Sequence, residues 1–240
     1  MESSLNFQGN YQNYVYRALK SLLPLRNLIS ASFTQEKQVY LPECHIPGRK
    51  TLILDLDETL IHADFEGAFS QHDTVIHFRY GGEDLVVPIL IRPGLPEFLH
   101  NISQEFEIFV FTASVKEYAD AVLNQLDPEN KYFKFRFYRQ HCTNFNNKVF
   151  VKDLRILSNR QQHNLILVDN SLYSFANQIS NGVLINSFYN DKDDRELFNL
   201  FSYLKNYLLP VPDVRAVNDQ FFNFASMIEE FSFGQCASVS

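Results

Sequence analysis

Cysteine is scarce in this sequence, and tryptophan is absent. The three cysteines, Cys44, Cys142 and Cys236, are far apart and form neither a CxxC pair nor a Cys/His pattern. The sequence therefore supports neither a structural zinc site nor a disulfide framework. So few cysteines are typical of a reducing compartment, and we expect an intracellular protein, nuclear or cytoplasmic.

Excess basic charge and long apolar runs are also missing. Lys and Arg number 21 against 28 for Asp and Glu, which gives a formal net charge of −7. This balance predicts no direct binding of nucleic acid through a basic surface. No apolar run of 18 residues is present, so no transmembrane segment is expected. The N-terminal region has few basic residues, which makes a mitochondrial transit peptide the weaker alternative.

From residue 50 onward, short apolar bursts alternate with helix-length segments. The bursts at 51–56, 107–111 and 165–168 predict buried strands, and 115–126 and 193–208 have helical periodicity. Such alternation indicates an α/β domain with a mainly parallel sheet.

A hairpin and two flanking segments complete the predicted organisation. Segments 74–80 and 85–92 surround Gly81-Gly82, a dipeptide that favours a tight hairpin turn. Before residue 49, apolar residues at helical spacing predict one amphipathic helix that ends at Pro24. After Pro210 the pattern predicts less regular structure.

Two carboxylates follow the first apolar burst. In the string DLDET, Asp55 and Asp57 stand two residues apart where the strand leaves the sheet, so they point to the same side of the chain. Open α/β sheets bind ligands at this edge. Because two carboxylates so close together repel each other, a hard divalent cation such as Mg²⁺ is implied. The alternative is a pair of loop acids or helix caps.

Three later segments have the same character. FTAS ends the second burst with Thr112, VKDL contains Lys152, and VDNS follows the third burst with Asp169 and Asn170. Taken singly, these residues are common as a helix cap, a solvated lysine and an Asx turn. Their order along one chain is more specific than any of them alone.

The four segments together resemble the haloacid dehalogenase superfamily, and within it the small C-terminal-domain phosphatases, the NLI-interacting-factor-like family of Ser/Thr phosphatases. The resemblance covers about residues 40–217 and implies a Rossmann-like haloacid dehalogenase fold. In that fold, helices flank a mainly parallel sheet, a β-hairpin is inserted near the active site, and no large cap domain is present. It divides the chain into an N-terminal extension (1–48), a phosphatase catalytic domain (49–217) and a Phe-rich C-terminal segment (218–240). The chain departs from the family pattern at Leu172, where proline is usual.

The resemblance also implies a role for each residue. Asp55 would be the nucleophile that forms an aspartyl-phosphate, and Asp57 the general acid and base. Thr112 and Lys152 would stabilise the charge that develops on the phosphoryl group. Mg²⁺ would be held by Asp55, the Asp57 carbonyl and Asn170, and by Asp169 through water. Thr59 and Arg139 would be substrate-binding residues, and Thr59 would also orient Asp57.

The substrate implied by the resemblance is a phosphorylated protein, such as the RNA polymerase II C-terminal repeats. Two other functions are considered. One is a non-catalytic binding module of the same fold, like the mitochondrial presequence-translocase receptor, although a pure binder has no need for mutually repelling carboxylates. The other is a small-metabolite phosphatase, which the absence of a cap domain disfavours.

Overall fold

Strands from distant parts of the sequence meet in one central sheet. The computed structural model describes residues 14–22, 31, 33, 35–44, 46–68, 71–145, 149–224 and 226–228. Ten strands are formed by these residues: β1 (Thr51–Leu54), β2 (Ile61–Ala63), β3 (Thr74–Tyr80), β4 (Glu83–Ile91), β5 (Glu107–Phe111), β6 (Phe133–Phe137), β7 (Thr143–Phe145), β8 (Val149–Val151), β9 (Leu165–Asp169) and β10 (Gly182–Leu184). The central sheet has five of them in the order β10-β9-β1-β5-β6, all parallel. The predicted parallel α/β sheet is thus confirmed.

The three strands predicted from apolar bursts occupy the middle of this sheet. Every residue of β1, β5 and β9 is buried, as expected for strands covered on both faces. The sequence analysis missed β6 and β10. Because β6 lies at one edge and alternates between apolar and basic residues, it lacks a continuous apolar signal. The other edge strand, β10, is only three residues long.

Helices cover both faces of the sheet. They are α1 (residues 14–22), α2 (Leu95–Glu105), α3 (Lys116–Leu126), α4 (Glu196–Tyr203), which continues as a π-helix over Leu204–Leu208, and α5 (Val214–Phe222). One apolar cluster contains buried residues of α2, α3 and α4, and a second contains those of α1. Successive β1 side chains enter opposite clusters, since Leu52 and Leu54 lie in the first and Ile53 in the second.

The chain after Pro210 is more regular than expected. It forms α5, whose N-terminus is capped by Asp213, because the Asp213 side chain accepts a hydrogen bond from the backbone N–H of Arg215. The expectation of irregular structure was therefore wrong for this segment. Phe231 and Phe233 of the Phe-rich segment, and Pro24 at the expected end of α1, lie outside the described residues.

The inserted hairpin is confirmed and extends further than the sequence analysis suggested. β3 and β4 pair antiparallel through a turn at Gly81-Gly82, where both glycines have positive φ, 62° and 91°. β2 adds a third antiparallel strand on the other side of β4. This small sheet packs on α3, which follows the Thr112 segment.

Candidate active site

The candidate residues gather at the carboxyl edge of the three central strands. Asp55 follows β1, Thr112 follows β5, and Asp169 is the last residue of β9. Because these strands are adjacent and parallel, the three side chains share one cleft of about 670 Å³. All the predicted site residues except Thr59 line it: Asp55, Asp57, Thr112, Arg139, Lys152, Asp169 and Asn170.

Lys152 lies at the bottom of the cleft between two carboxylates. It is the residue directly after β8, and it is 1% exposed. Its ammonium group pairs with Asp55 and, at 2.5 Å, with Asp169. Burial disfavours the lysine charge, but the carboxylates of Asp169 and Asp55 outweigh it and raise the pKa of Lys152. A lysine in this position stays charged and can neutralise an incoming anion.

Burial also acts on Asp169, which is 1% exposed. Together with the neighbouring charge of Asp55, burial raises the pKa of Asp169 to about 6, although Lys152 favours its ionised form. The two carboxylates therefore repel each other in spite of the lysine between them. A cation would relieve that repulsion.

Asp57 is held by two hydroxyl groups that the sequence analysis did not include. Ser114 donates to one of its oxygens at 2.7 Å, and Tyr118, in the first turn of α3, donates to the other at 2.5 Å. Burial raises the pKa of Asp57 and the charge of Asp55 adds to the effect, while these two hydrogen bonds oppose it. The net result favours the protonated acid, the form that can donate a proton.

Thr59 does not lie where it was expected. Its side chain is fully buried and donates to Oδ2 of Asp55 at 3.1 Å, so it orients Asp55 rather than Asp57. The chain turns back at Glu58, which has a positive φ of 56°, and this turn puts Thr59 behind Asp55 rather than in the cleft.

Thr112 and Arg139 stand on the wall opposite Asp169. The Thr112 hydroxyl accepts a hydrogen bond from the backbone N–H of Ser114 at 3.0 Å, an arrangement that leaves its proton able to donate into the cleft. The exposed Arg139 donates to the Ala113 carbonyl at 2.6 Å, and its guanidinium lies 5.3 Å from the centre of the Phe150 ring. These contacts hold the arginine at the rim.

The oxygen atoms at one end of the cleft suit a hard divalent cation. Asn170 donates from its side-chain nitrogen to Ser187 Oγ at 3.0 Å, which leaves the amide oxygen as a ligand atom. Within the described part of the chain, no three Asp, Glu, His or Cys side chains form a metal-binding group by themselves. A cation held by Asp55 and Asp169 would therefore also need Asn170 and a backbone carbonyl. Four acidic and two basic side chains line the cleft among the described residues, so a dication would offset the excess negative charge.

Two aromatic side chains reach Tyr118, and so the neighbourhood of Asp57: Phe78 from β3 and Phe65 from the segment after β2. The ring centres of Phe78 and Phe65 are 5.6 Å and 5.4 Å from that of Tyr118. Phe65 is 64% exposed. Burial alternates along the hairpin strands, with Ile76 and Val87 buried and Val86 exposed.

Sequence reasoning missed Ser114, Tyr118 and Phe65. Ser114 belongs to the FTAS segment, but only Thr112 was selected from it. Tyr118 follows four residues later, and a tyrosine at a helix start carries no signal that it will meet an acid 61 residues away.

Among the helices that the structure describes, none combines the length and apolar character that crossing a bilayer requires.

Known proteins share both the sequence pattern and the fold. Residues 50–215 match the family model described as NLI interacting factor-like phosphatase. CTD small phosphatase-like protein 2 of Dictyostelium discoideum is 36% identical over 198 residues, which cover 82% of this chain and 34% of the relative. A probable C-terminal domain small phosphatase of the same organism is 41% identical over 173 residues, covering 72% and 55% of the two chains. The chain thus spans from a third to slightly over half of these relatives' length.

The fold of this chain is also similar to that of a solved structure. The structure of Fcp1, described as an essential RNA polymerase II CTD phosphatase, aligns with a TM-score of 0.52 at 21% identity and covers 80% of this chain and 54% of its own. The haloacid dehalogenase fold expected from the sequence is thereby confirmed.

Proposed function

Because the chain belongs to the NLI interacting factor-like phosphatase family, we propose that it is a Mg²⁺-dependent protein phosphoserine/phosphothreonine phosphatase that acts through an aspartyl-phosphate. The observation that carries the proposal is the contrast between its two neighbouring acids. Asp55 is paired with Lys152, whereas burial raises the pKa of Asp57 in spite of its two hydroxyl hydrogen bonds. Two carboxylates whose surroundings differ in this way suit a nucleophile and a proton donor.

The first half of the reaction transfers the phosphoryl group to the protein. An oxygen of Asp55 forms a bond to phosphorus while the bond from phosphorus to the serine or threonine oxygen breaks. Asp57 donates its proton to that leaving oxygen. Lys152 and the Thr112 hydroxyl stabilise the negative charge on the phosphoryl oxygens.

The second half returns the protein to its starting state. Asp57, now a carboxylate, takes a proton from water, and the water oxygen attacks phosphorus. The bond between phosphorus and Asp55 breaks, which releases phosphate and restores the Asp55 carboxylate. Mg²⁺ held by Asp55, the Asp57 carbonyl and Asn170, with Asp169 in support, would supply Lewis-acid stabilisation of the transferring group.

Activity should require Mg²⁺. We expect hydrolysis of an aryl phosphate to stop with excess chelator, to return with Mg²⁺, and to be inhibited by Ca²⁺, which prefers more ligands at longer distances. Because Mg²⁺ relieves repulsion between Asp55 and Asp169, it should also raise the melting temperature of the protein. Initial rates and thermal melts with each ion test this expectation. Full activity in excess chelator, or no hydrolysis of any phosphate ester with Mg²⁺ bound, would contradict it; the second result would favour a binding module.

The substrate class follows from the openness of the cleft. Among the residues that the structure describes, none forms a large cap over it, and exposed Phe65 lies beside Tyr118, near the proposed acid. An open cleft obtains selectivity from the surface around it, which suits an extended phosphorylated segment better than a small metabolite. We infer a flexible phosphoprotein substrate such as the RNA polymerase II C-terminal repeats, in the nucleus or cytoplasm.

Phe65→Ser should separate recognition from chemistry. Loss of the exposed ring should raise KM for a proline-containing phosphopeptide by at least about tenfold, since burying a Phe side chain contributes about 1.5–3 kcal/mol. Turnover of an aryl phosphate should hardly change, because Phe65 does not line the cleft in which the small ester would bind. Phe198→Ser is the matched control, as Phe198 is 60% exposed and does not line the cleft. Equal losses on both substrates would assign Phe65 to stability instead.

A further inference from the structure

Helix α1 lies outside the part of the chain that matches the family model, yet it contacts the loop that carries Asp169 and Asn170. The Tyr14 hydroxyl donates to the backbone carbonyl of Asn170 at 3.4 Å and accepts from the backbone N–H of Leu172 at 3.3 Å. We propose that Tyr14 is a positioning residue for the cation-binding loop, and that it acts by fixing the backbone on both sides of Ser171. This inference rests on the proposed function, because it concerns the same metal-dependent site.

Ser171, in the middle of the loop, is held by contacts within the loop, and its carbonyl accepts a hydrogen bond from the backbone N–H of Ser174 at 3.0 Å. Oδ1 of Asp169 accepts from the Ser171 N–H at 2.8 Å, and the Asn170 side chain donates to Ser187. These bonds fix the direction of two side chains. The Asn170 carbonyl and the Leu172 N–H, by contrast, both bond to the Tyr14 hydroxyl. The orientation of the peptide groups that carry the proposed ligands therefore depends on a hydroxyl from another helix.

The Leu172 N–H has a strong need for this partner. Leu172 is fully buried, and a buried backbone N–H without an acceptor is unfavourable. Removing the Tyr14 hydroxyl takes this acceptor away, which favours movement of the loop toward another partner for the N–H. Such movement would displace Asn170, two residues away.

Packing fixes the position of α1 and hence of Tyr14. Val15, Ala18, Leu19 and Leu22 are each less than 5% exposed and belong to the same apolar cluster as Leu172. Ser21, two turns after Tyr14, shares a hydrogen bond with the Tyr173 hydroxyl and lines the cleft. One face of α1 thus runs along residues 170–173, with a hydroxyl contact at each end.

Tyr14→Phe in the full chain tests the proposal. We expect Mg²⁺ affinity, measured by isothermal titration calorimetry, to fall about three- to tenfold, the range of one lost hydrogen bond. The Mg²⁺ concentration for half-maximal hydrolysis of an aryl phosphate should rise by the same factor, while kcat at saturating Mg²⁺ stays near wild type. Tyr40→Phe is the matched control, because Tyr40 is 76% exposed and does not line the cleft.

Two results would overturn the proposal, and they are distinguishable. Unchanged Mg²⁺ affinity in Tyr14→Phe, with or without a lower melting temperature, would reduce Tyr14 to a structural role and leave the proposed function intact. A wild-type chain that neither binds Mg²⁺ nor hydrolyses phosphate esters would overturn the proposed function and this inference together.

Leu172→Pro offers a second test of the contact itself. Leu172 begins the 3₁₀ turn Leu172–Phe175, and Ser171 before it is extended at φ −111° and ψ 117°, a conformation that proline tolerates at the next position. Without the Leu172 N–H, adding Tyr14→Phe should weaken Mg²⁺ binding less than it does in the wild type. Equal weakening in both backgrounds would overturn the proposed route. If Leu172→Pro does not fold, the single variant decides.

Discussion

Replacing Asp55 by asparagine should remove turnover and leave the fold intact. Asp55 is 6% exposed, pairs with Lys152 and accepts a hydrogen bond from Thr59 at 3.1 Å. Asparagine keeps the shape and one acceptor oxygen, but it loses the negative charge that attacks phosphorus. We therefore expect kcat/KM for an aryl phosphate to fall by at least about a thousandfold, the scale on which covalent catalysts lose their nucleophile. Steady-state kinetics in excess Mg²⁺ measure the effect.

Asp84→Asn is the matched control, because it makes the same chemical change at an exposed position outside the cleft. The Asp84 side chain is 86% exposed, and the residue does not line the cleft, so this variant should retain wild-type turnover. Circular dichroism and melting temperature establish that Asp55→Asn is folded. If a folded Asp55→Asn protein kept activity within about tenfold of wild type, the aspartyl-phosphate mechanism would be refuted.

The centre of the fold could be predicted from the sequence because its signals are local. β1, β5 and β9 are short runs that are apolar except for one polar residue at an end, and Gly81-Gly82 favours the turn between β3 and β4 through its positive φ angles. The edges carry weaker signals. β6 is paired on one side only and alternates Phe with Lys134 and Arg136, and β10 is too short for any pattern to emerge.

The candidate site divides in the same way. Asp55, Thr112 and Asp169 each end an apolar strand, so adjacent parallel strands were enough to bring them together. Their catalytic roles stay predictions that the variants test. The partners of Asp57 could not be anticipated, because the contact with Tyr118 depends on where α3 crosses the end of the sheet. The prediction that Thr59 orients Asp57 was wrong, because the chain turns at Glu58 and the Thr59 hydroxyl bonds to Asp55 instead.

Asp57→Asn should slow the first half of the reaction only for substrates whose leaving group needs a proton, and it should slow the second half for all substrates. Both Asp57 oxygens accept hydroxyl hydrogen bonds, and because hydroxyl groups can also accept, an asparagine fits the same place. Transfer from a phosphoserine peptide needs a proton and should slow by at least about a hundredfold. An activated aryl phosphate needs none, so its first step should proceed. Hydrolysis of the aspartyl-phosphate should then be slow, because the base that activates water is missing.

Rapid-mixing kinetics with 4-nitrophenyl phosphate can reveal this separation. Asp57→Asn should release close to one equivalent of nitrophenolate in a burst, followed by slow turnover, whereas the phosphoserine peptide should give no burst. Glu58→Gln is the critical control, because Glu58 lines the same cleft and burial also raises the pKa of its carboxyl group. Glu58 is bonded to His62 at 3.1 Å, which turns it away from the proton-donor role, so Glu58→Gln should treat both substrates as the wild type does. If Glu58→Gln gave the burst and Asp57→Asn did not, the proton donor would be Glu58. If Asp57→Asn slowed the first step equally for both esters, Asp57 would not be the acid.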